Sequence, residues 1–115
     1  MGDSPLLLAS SNHDMDRDVG RAIELLLRNG ANPNAVNRYG STPLHRLCES
    51  RSPNHIKLIE RFLSVCGQVR QQVNINARDN LGLTPLHLAM EKRRQDVVEL
   101  LLRHGADPNA VHHCN

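Results

Sequence analysis

Thr84-Pro85-Leu86-His87-Leu88-Ala89, followed by Asp96-Val97-Val98-Glu99-Leu100-Leu101-Leu102-Arg103-His104-Gly105-Ala106-Asp107-Pro108-Asn109-Ala110, is the stretch from which the fold is read. Thr84 is a good N-cap, and Pro85 falls at the first helical position, where its missing N–H costs nothing and its φ already suits a helix. Leu86 and Ala89 lie three apart and share a face, so a short helix begins at Pro85. The apolar run after it has helical spacing and predicts a second helix over Gln95–His104, with Gly105 as the left-handed residue that ends it. Asp107-Pro108-Asn109-Ala110 then carries turn chemistry.

The same order of parts occurs twice upstream. Ser4-Pro5-Leu6-Leu7 and Thr42-Pro43-Leu44-His45 open two further segments, and Asn34-Ala35 and Asn76-Ala77 close them as Asn109-Ala110 closes the third. Second helices are predicted over Val19–Arg28 and Asn54–Val65, the latter with Ile56, Ile59 and Leu63 at helical spacing, and Gly30 and Gly67 match Gly105 as terminators. The small Ala9 and Ala89 let neighbouring helices approach closely. Pro5 to Pro43 is 38 residues and Pro43 to Pro85 is 42. From Thr84 to Gly105 is 21 residues, against 26 from Ser4 to Gly30 and 25 from Thr42 to Gly67. Copies one and two therefore carry five and four extra residues between their helices, and copy two a further five around Gln68 to Gln72. Without them the common unit is about 33 residues.

A helix pair and a turn repeated with that unit, opened by Thr-Pro-Leu-His, resembles the ankyrin repeat, in which two antiparallel helices are followed by an outward hairpin. The resemblance covers essentially the entire chain. It implies an all-α solenoid of helix-turn-helix pairs joined by hairpin loops, as one domain over 1–115 with repeats at about 4–40, 41–82 and 83–115. In that family the hairpin tips and the exposed side of the first helices form a concave face that grips protein partners, so a non-catalytic protein–protein interaction module or scaffold is implied. Carried onto this chain, the first tip gives Arg38, Tyr39 and Ser41, and the following helix face gives Glu49 and Ser50. The next tip gives Asn80, Leu81 and Leu83, with Glu91 and Lys92 on its helix, and His112 and His113 fall at the third. Arg38 and Tyr39 are the leading anchors, because Arg and Tyr so often dominate interface energy.

Two other implications of the resemblance stay open. Family hairpins can be substrates of an asparaginyl hydroxylase at the Asn of the Asn-Ala turn, favoured by a Leu eight residues earlier; Leu26 precedes Asn34 and Leu101 precedes Asn109 at that distance, with Pro33 and Pro108 just before each Asn. Alternatively the chain is a spacer or fragment of a longer ankyrin array, or an inhibitor that masks a transcription factor. It begins almost at its first helix and stops within the third hairpin. The expectation is thus a fragment, a truncated product, or self-association through the uncapped C-terminal repeat.

Composition narrows the classes independently. With 115 residues, 39% apolar and 23% charged, there is room for one small domain. The longest apolar stretches, Leu6 to Ala9 and Val97 to Leu102 broken by Glu99, fall far short of the roughly 20 residues of a bilayer span. Met1 to Pro5 has no basic n-region, and Leu6 stands where a myristoylation signal needs Ser or Thr. The expected setting is intracellular, cytoplasmic or nuclear, with no membrane. Cys48, Cys66 and Cys114 cannot all pair and form no C-x-x-C, so free thiols are expected. A net charge of +2 with one Tyr, one Phe and no Trp argues against nucleic acid as a partner.

Residues with chemical potential have plainer explanations. His45 and His87 each sit three residues after a Thr, where the imidazole bonds the Thr hydroxyl and nearby backbone; a general base also needs a nucleophile and an orienting partner, and neither recurs. Asp14, Asp16 and Asp18 have EF-hand spacing, but Val19 stands where the loop requires Gly and Leu25 where it requires Glu. His104, His112, His113 and Cys114 lack the spacing that closes a tetrahedron around a metal. Lys92-Arg93-Arg94 reads as a solvated turn between helices, with Arg93 strained if its φ is positive. No Gly-rich phosphate loop or nucleophile motif occurs, so no catalytic residue, metal, cofactor or small-molecule substrate is assigned. The insertions at 11–18, 51–54 and 68–72 read either as partner-specific loops or as neutral surface drift.

Overall fold

The computed structural model describes residues 3–11, 17–49 and 55–110. Among them are six helices and no strand: α1 (Pro5–Ser11), α2 (Arg17–Arg28), α3 (Pro43–Cys48), α4 (His55–Gln68), α5 (Pro85–Glu91) and α6 (Gln95–Arg103). The short helices α1, α3 and α5 pack in sequence order as one row, the longer α2, α4 and α6 as a second, and each short helix packs on the long helix that follows it. This is the expected stack. One contiguous core lies between the rows, with Ile23, Leu44, Ile59, Phe62, Ala89 and Leu101 buried in it. Aliphatic side chains suffice because neither row has to cover more than a thin seam against its neighbours.

Local chemistry starts the short helices where the sequence predicts. Thr42 and Thr84 take extended backbone and accept the N–H of His45 (3.3 Å) and His87 (3.2 Å). Each histidine returns the bond, its Nδ1 accepting the Thr N–H at 3.1 and 3.0 Å. Such caps contribute about 1 kcal/mol apiece. In the first copy Ser4 Oγ accepts the Leu7 N–H at 3.3 Å, and Leu7 stands where the other copies have His.

The helix ends differ from expectation in one copy. Gly30 and Gly105 are left-handed, with φ of 97° and 98°, as predicted. Gly67 is not: it lies within α4, which runs past Val65 to Gln68, and Arg70 at φ 60° closes that helix. The bonds show the equivalence. Ala31, Gln71 and Ala106 donate to the carbonyls of Leu26, Cys66 and Leu101, so Gly30, Arg70 and Gly105 hold one position. Seven of the second copy's nine extra residues therefore precede its helix end, and two, Gln72 and Val73, fall in the hairpin. Arg93 also has positive φ, 57°, and the turn it makes after α5 is closed by Arg94 donating to the Ala89 carbonyl at 3.0 Å.

Cys48 and Cys66 are free and buried, and burial pushes both thiols up, Cys66 to about 11. They behave as small apolar core residues. Cys114 lies outside the described residues, as do the insertion at 51–54 and residues 12–16 of the first.

Candidate protein-binding surface

Two hairpins leave the helix stack among the described residues, and the same side-chain devices build both. At the tips, Asn37 Oδ1 accepts the N–H groups of Tyr39 (2.9 Å) and Ser41 (3.1 Å), and Asp79 Oδ1 accepts those of Leu81 and Leu83 (both 2.9 Å). Gly40 and Gly82, at φ 72° and 81°, donate back to the carbonyls of Asn37 and Asp79. An acceptor oxygen on a short side chain and a residue free to take positive φ are what so tight a turn requires.

The tips are also fastened to each other. Asn80 donates its backbone N–H to the Tyr39 carbonyl and its Nδ2 to the Arg38 carbonyl, each at 2.9 Å. Gly40 permits this approach: a Cβ there would lie 2.6 Å from Asn80 Oδ1 and 2.9 Å from its backbone nitrogen. Lower on the hairpins, Asn34 clasps the following repeat, its Nδ2 donating to the Gln72 carbonyl (2.7 Å) and its Oδ1 accepting the Asn74 N–H (2.7 Å). Asn76 repeats the clasp on the Gly105 carbonyl (3.4 Å) and the Asp107 N–H (2.8 Å).

His45 ties the fold to this edge. Its Nδ1 accepts from Thr42, so the proton is on Nε2, which donates to the Leu83 carbonyl of the next tip at 2.8 Å. Burial holds its pKa below the usual histidine value, against the Leu83 carbonyl and the nearby Asp79 and Glu49 charges, which favour the cation. His87 Nε2 donates likewise to Ala110 at 3.1 Å. Both histidines are thus occupied in holding loops.

This scaffold presents Tyr39 and Leu81 at equivalent tip positions, 61% and 69% exposed. The Arg38 guanidinium lies 5.8 Å from the Tyr39 ring centroid, within the range of a cation–π contact. Arg38, Asn80 and Glu91 are exposed, and Leu83, Glu49 and Lys92 half-buried. Glu49 pairs with Arg46 at 3.0 Å, and Arg46 also donates to Ser11 of the preceding copy at 2.9 Å. Ser41 is a correction: it is buried beneath the tip, because Asn37 bonds both its N–H and its carbonyl to close the turn. Ser50, His112 and His113 lie outside the described residues.

Sequence reasoning missed Gly40, Asn37 and Asp79; it named Asn80 as a contact residue and Asn34 and Asn76 as turn residues, but not the bonds they make between repeats. A signal existed: Asn37 and Asp79 each begin Asn/Asp-x-x-Gly-x-Thr-Pro, ending at Pro43 and Pro85. Of the acidic run, Asp14 and Asp16 lie outside the described residues, and α2 is helical from Arg17. Among the described residues no group of three or more His, Cys, Asp or Glu could hold a metal, and no helix is long and apolar enough to cross a membrane.

No curated protein matches the chain. The family described as Ankyrin repeats matches in three copies over residues 6–112. Its members are generally protein–protein interaction modules and are typically non-enzymatic. With that match over nearly the whole sequence and three helix pairs stacked in order, the chain belongs to the ankyrin repeat family.

Proposed function

We propose that the chain is a non-catalytic interaction module that holds a protein partner along the fastened tips, in a cytoplasmic or nuclear setting. Tyr39, Arg38 and Leu81 are the anchors; Asn80, Leu83, Glu49, Glu91 and Lys92 complete the contact surface. One observation carries this reading: two large apolar side chains stand exposed at the same position of successive tips, and the Asn80 bonds fix the distance between them. Anchors carried on backbone that is already fixed lose less entropy on binding than anchors on a loose loop, and aromatic and Arg side chains in such places dominate interface energy. The reading calls on no small-molecule substrate or cofactor, and the small net charge supports a protein partner over nucleic acid.

The test is capture of partners from cell extract by the wild-type chain, by a Tyr39→Ala/Leu81→Ala variant, and by Lys57→Ala on the exposed side of α4. Loss of the captured protein with the tip variant alone supports the surface. Capture unaffected by the tip variant contradicts it. One observation bears on the hydroxylation reading as well: Asn34 commits both polar atoms to its clasp, whereas the Asn109 side chain is exposed and bonds nothing among the described residues, which favours Asn109 as the substrate position.

A further inference from the structure

The two ends of the stack are complementary halves of the junction that the chain makes twice inside itself. Positions are matched by their helix bonds and by their distance from the opening Pro, so Ser10, Cys48 and Met90 are equivalent, as are Leu8 and Leu88, and Leu27 and Leu102. Cys48, on a repeat that is followed by another, is 1% exposed; Met90 is 60% exposed. Leu88, on a repeat that is preceded by another, is 6% exposed; Leu8 is 59% exposed. Leu102 on the third repeat and Leu25 on the first are likewise exposed, where their counterparts Leu27 and Val65 are buried. A groove of about 660 Å³ at Met90, Val98 and Glu99 marks the C-terminal face, and one of about 370 Å³ at Leu26, Gly30 and Asn32 the N-terminal face.

The polar groups match as well. Between repeats one and two, Glu24 pairs with Arg61 at 3.0 Å. The equivalents of these residues at the outer ends are Glu99 on the third repeat and Arg21 on the first, both exposed and unpaired among the described residues. The clasp shows the same pattern. Asn34 and Asn76 each grip a carbonyl and an N–H two residues apart on the next repeat. Asn109 has no such partner, and the corresponding groups of the first repeat, the Gly30 carbonyl and the Asn32 N–H, bond nothing among the described residues.

We propose that these faces bind each other between copies of this chain, the third repeat of one copy stacking on the first repeat of the next. Glu99 then meets Arg21, Asn109 clasps Gly30 and Asn32, and Met90 and Leu102 cover Leu8 and Leu25. Because the two surfaces differ, the contact is heterologous and does not close at a dimer. Sedimentation velocity of the purified chain over rising concentration tests this. The expected result is mass that grows past the dimer. Arg21→Glu and Glu99→Arg should each raise the concentration needed by about fivefold, since an attractive surface pair becomes a repulsive one. An equimolar mixture of the two variants should regain wild-type growth, because every junction then pairs opposite charges. Both side chains are exposed, so the helical circular dichroism should be unchanged, and Met90→Asp should abolish growth independently. A chain that stays monomeric throughout, with its end faces open or covered by its own residues, would overturn the proposal. So would a dimer that Glu99→Arg weakens and Arg21→Glu does not, which would place two C-terminal faces together, or a mixture that fails to recover.

Discussion

Gly40 is the residue on which the tip arrangement turns, for two separable reasons. Its φ of 72° is costly for any side chain, and a Cβ would press on the backbone of Asn80. Gly30 has positive φ but open space around it, so it isolates the first effect. Gly30→Ala should cost about 1 kcal/mol of unfolding free energy in urea, and Gly40→Ala distinctly more. Equal losses would mean that the tips are not in contact. His45 sets the pH dependence. Its folded pKa lies below the unfolded value of about 6.5, so its contribution is complete above that pH and is lost as the pH falls through the lowered value. Protonation places a hydrogen on Nδ1, against the Thr42 N–H it now accepts. Stability should therefore fall on acidification from neutral pH, and less steeply in His45→Leu, which copies the first repeat's Leu7; identical pH profiles for the two would contradict this origin.

At the scale of elements, the starts of helices were legible in the sequence and one end was not. Thr-Pro-Leu-His marks a start through bonds made within four residues, and a short motif can carry all of that chemistry. The end of α4 is the exception: the sequence offers Gly67 as its left-handed residue, but Arg70, three residues on, supplies that conformation. Helix closure needs that backbone conformation at a fixed distance from the last bonded carbonyl, whatever side chain stands there. Arg70→Gly should therefore stabilise the chain by roughly 0.5–1 kcal/mol in chemical denaturation, the left-handed cost being relieved and partly offset by glycine's greater entropy when unfolded. A destabilised variant would show that the Arg70 side chain contributes more than its backbone costs. The tip bonds and asparagine clasps were illegible for another reason: they join residues about 30 to 42 positions apart through side-chain amides, and no local pattern encodes the partner.

For the whole molecule, the repeat period made the stacking order readable, while the chemistry that sets the register between repeats became visible only with the loops in place. Stacked helix pairs bury the apolar seam; the clasps and the Asn80 bonds then align the hairpins into one edge, and on that edge the proposed recognition depends. The three positions Asn32, Asn74 and Asp107 are equivalent, yet only Asn74 and Asp107 donate their backbone N–H to an asparagine of the preceding repeat. Amide hydrogen exchange at low protein concentration compares them directly. The stacked register predicts that the Asn74 and Asp107 amides exchange at least about tenfold more slowly than Asn32. Equal, fast exchange at all three, with the helices still protected, would contradict it.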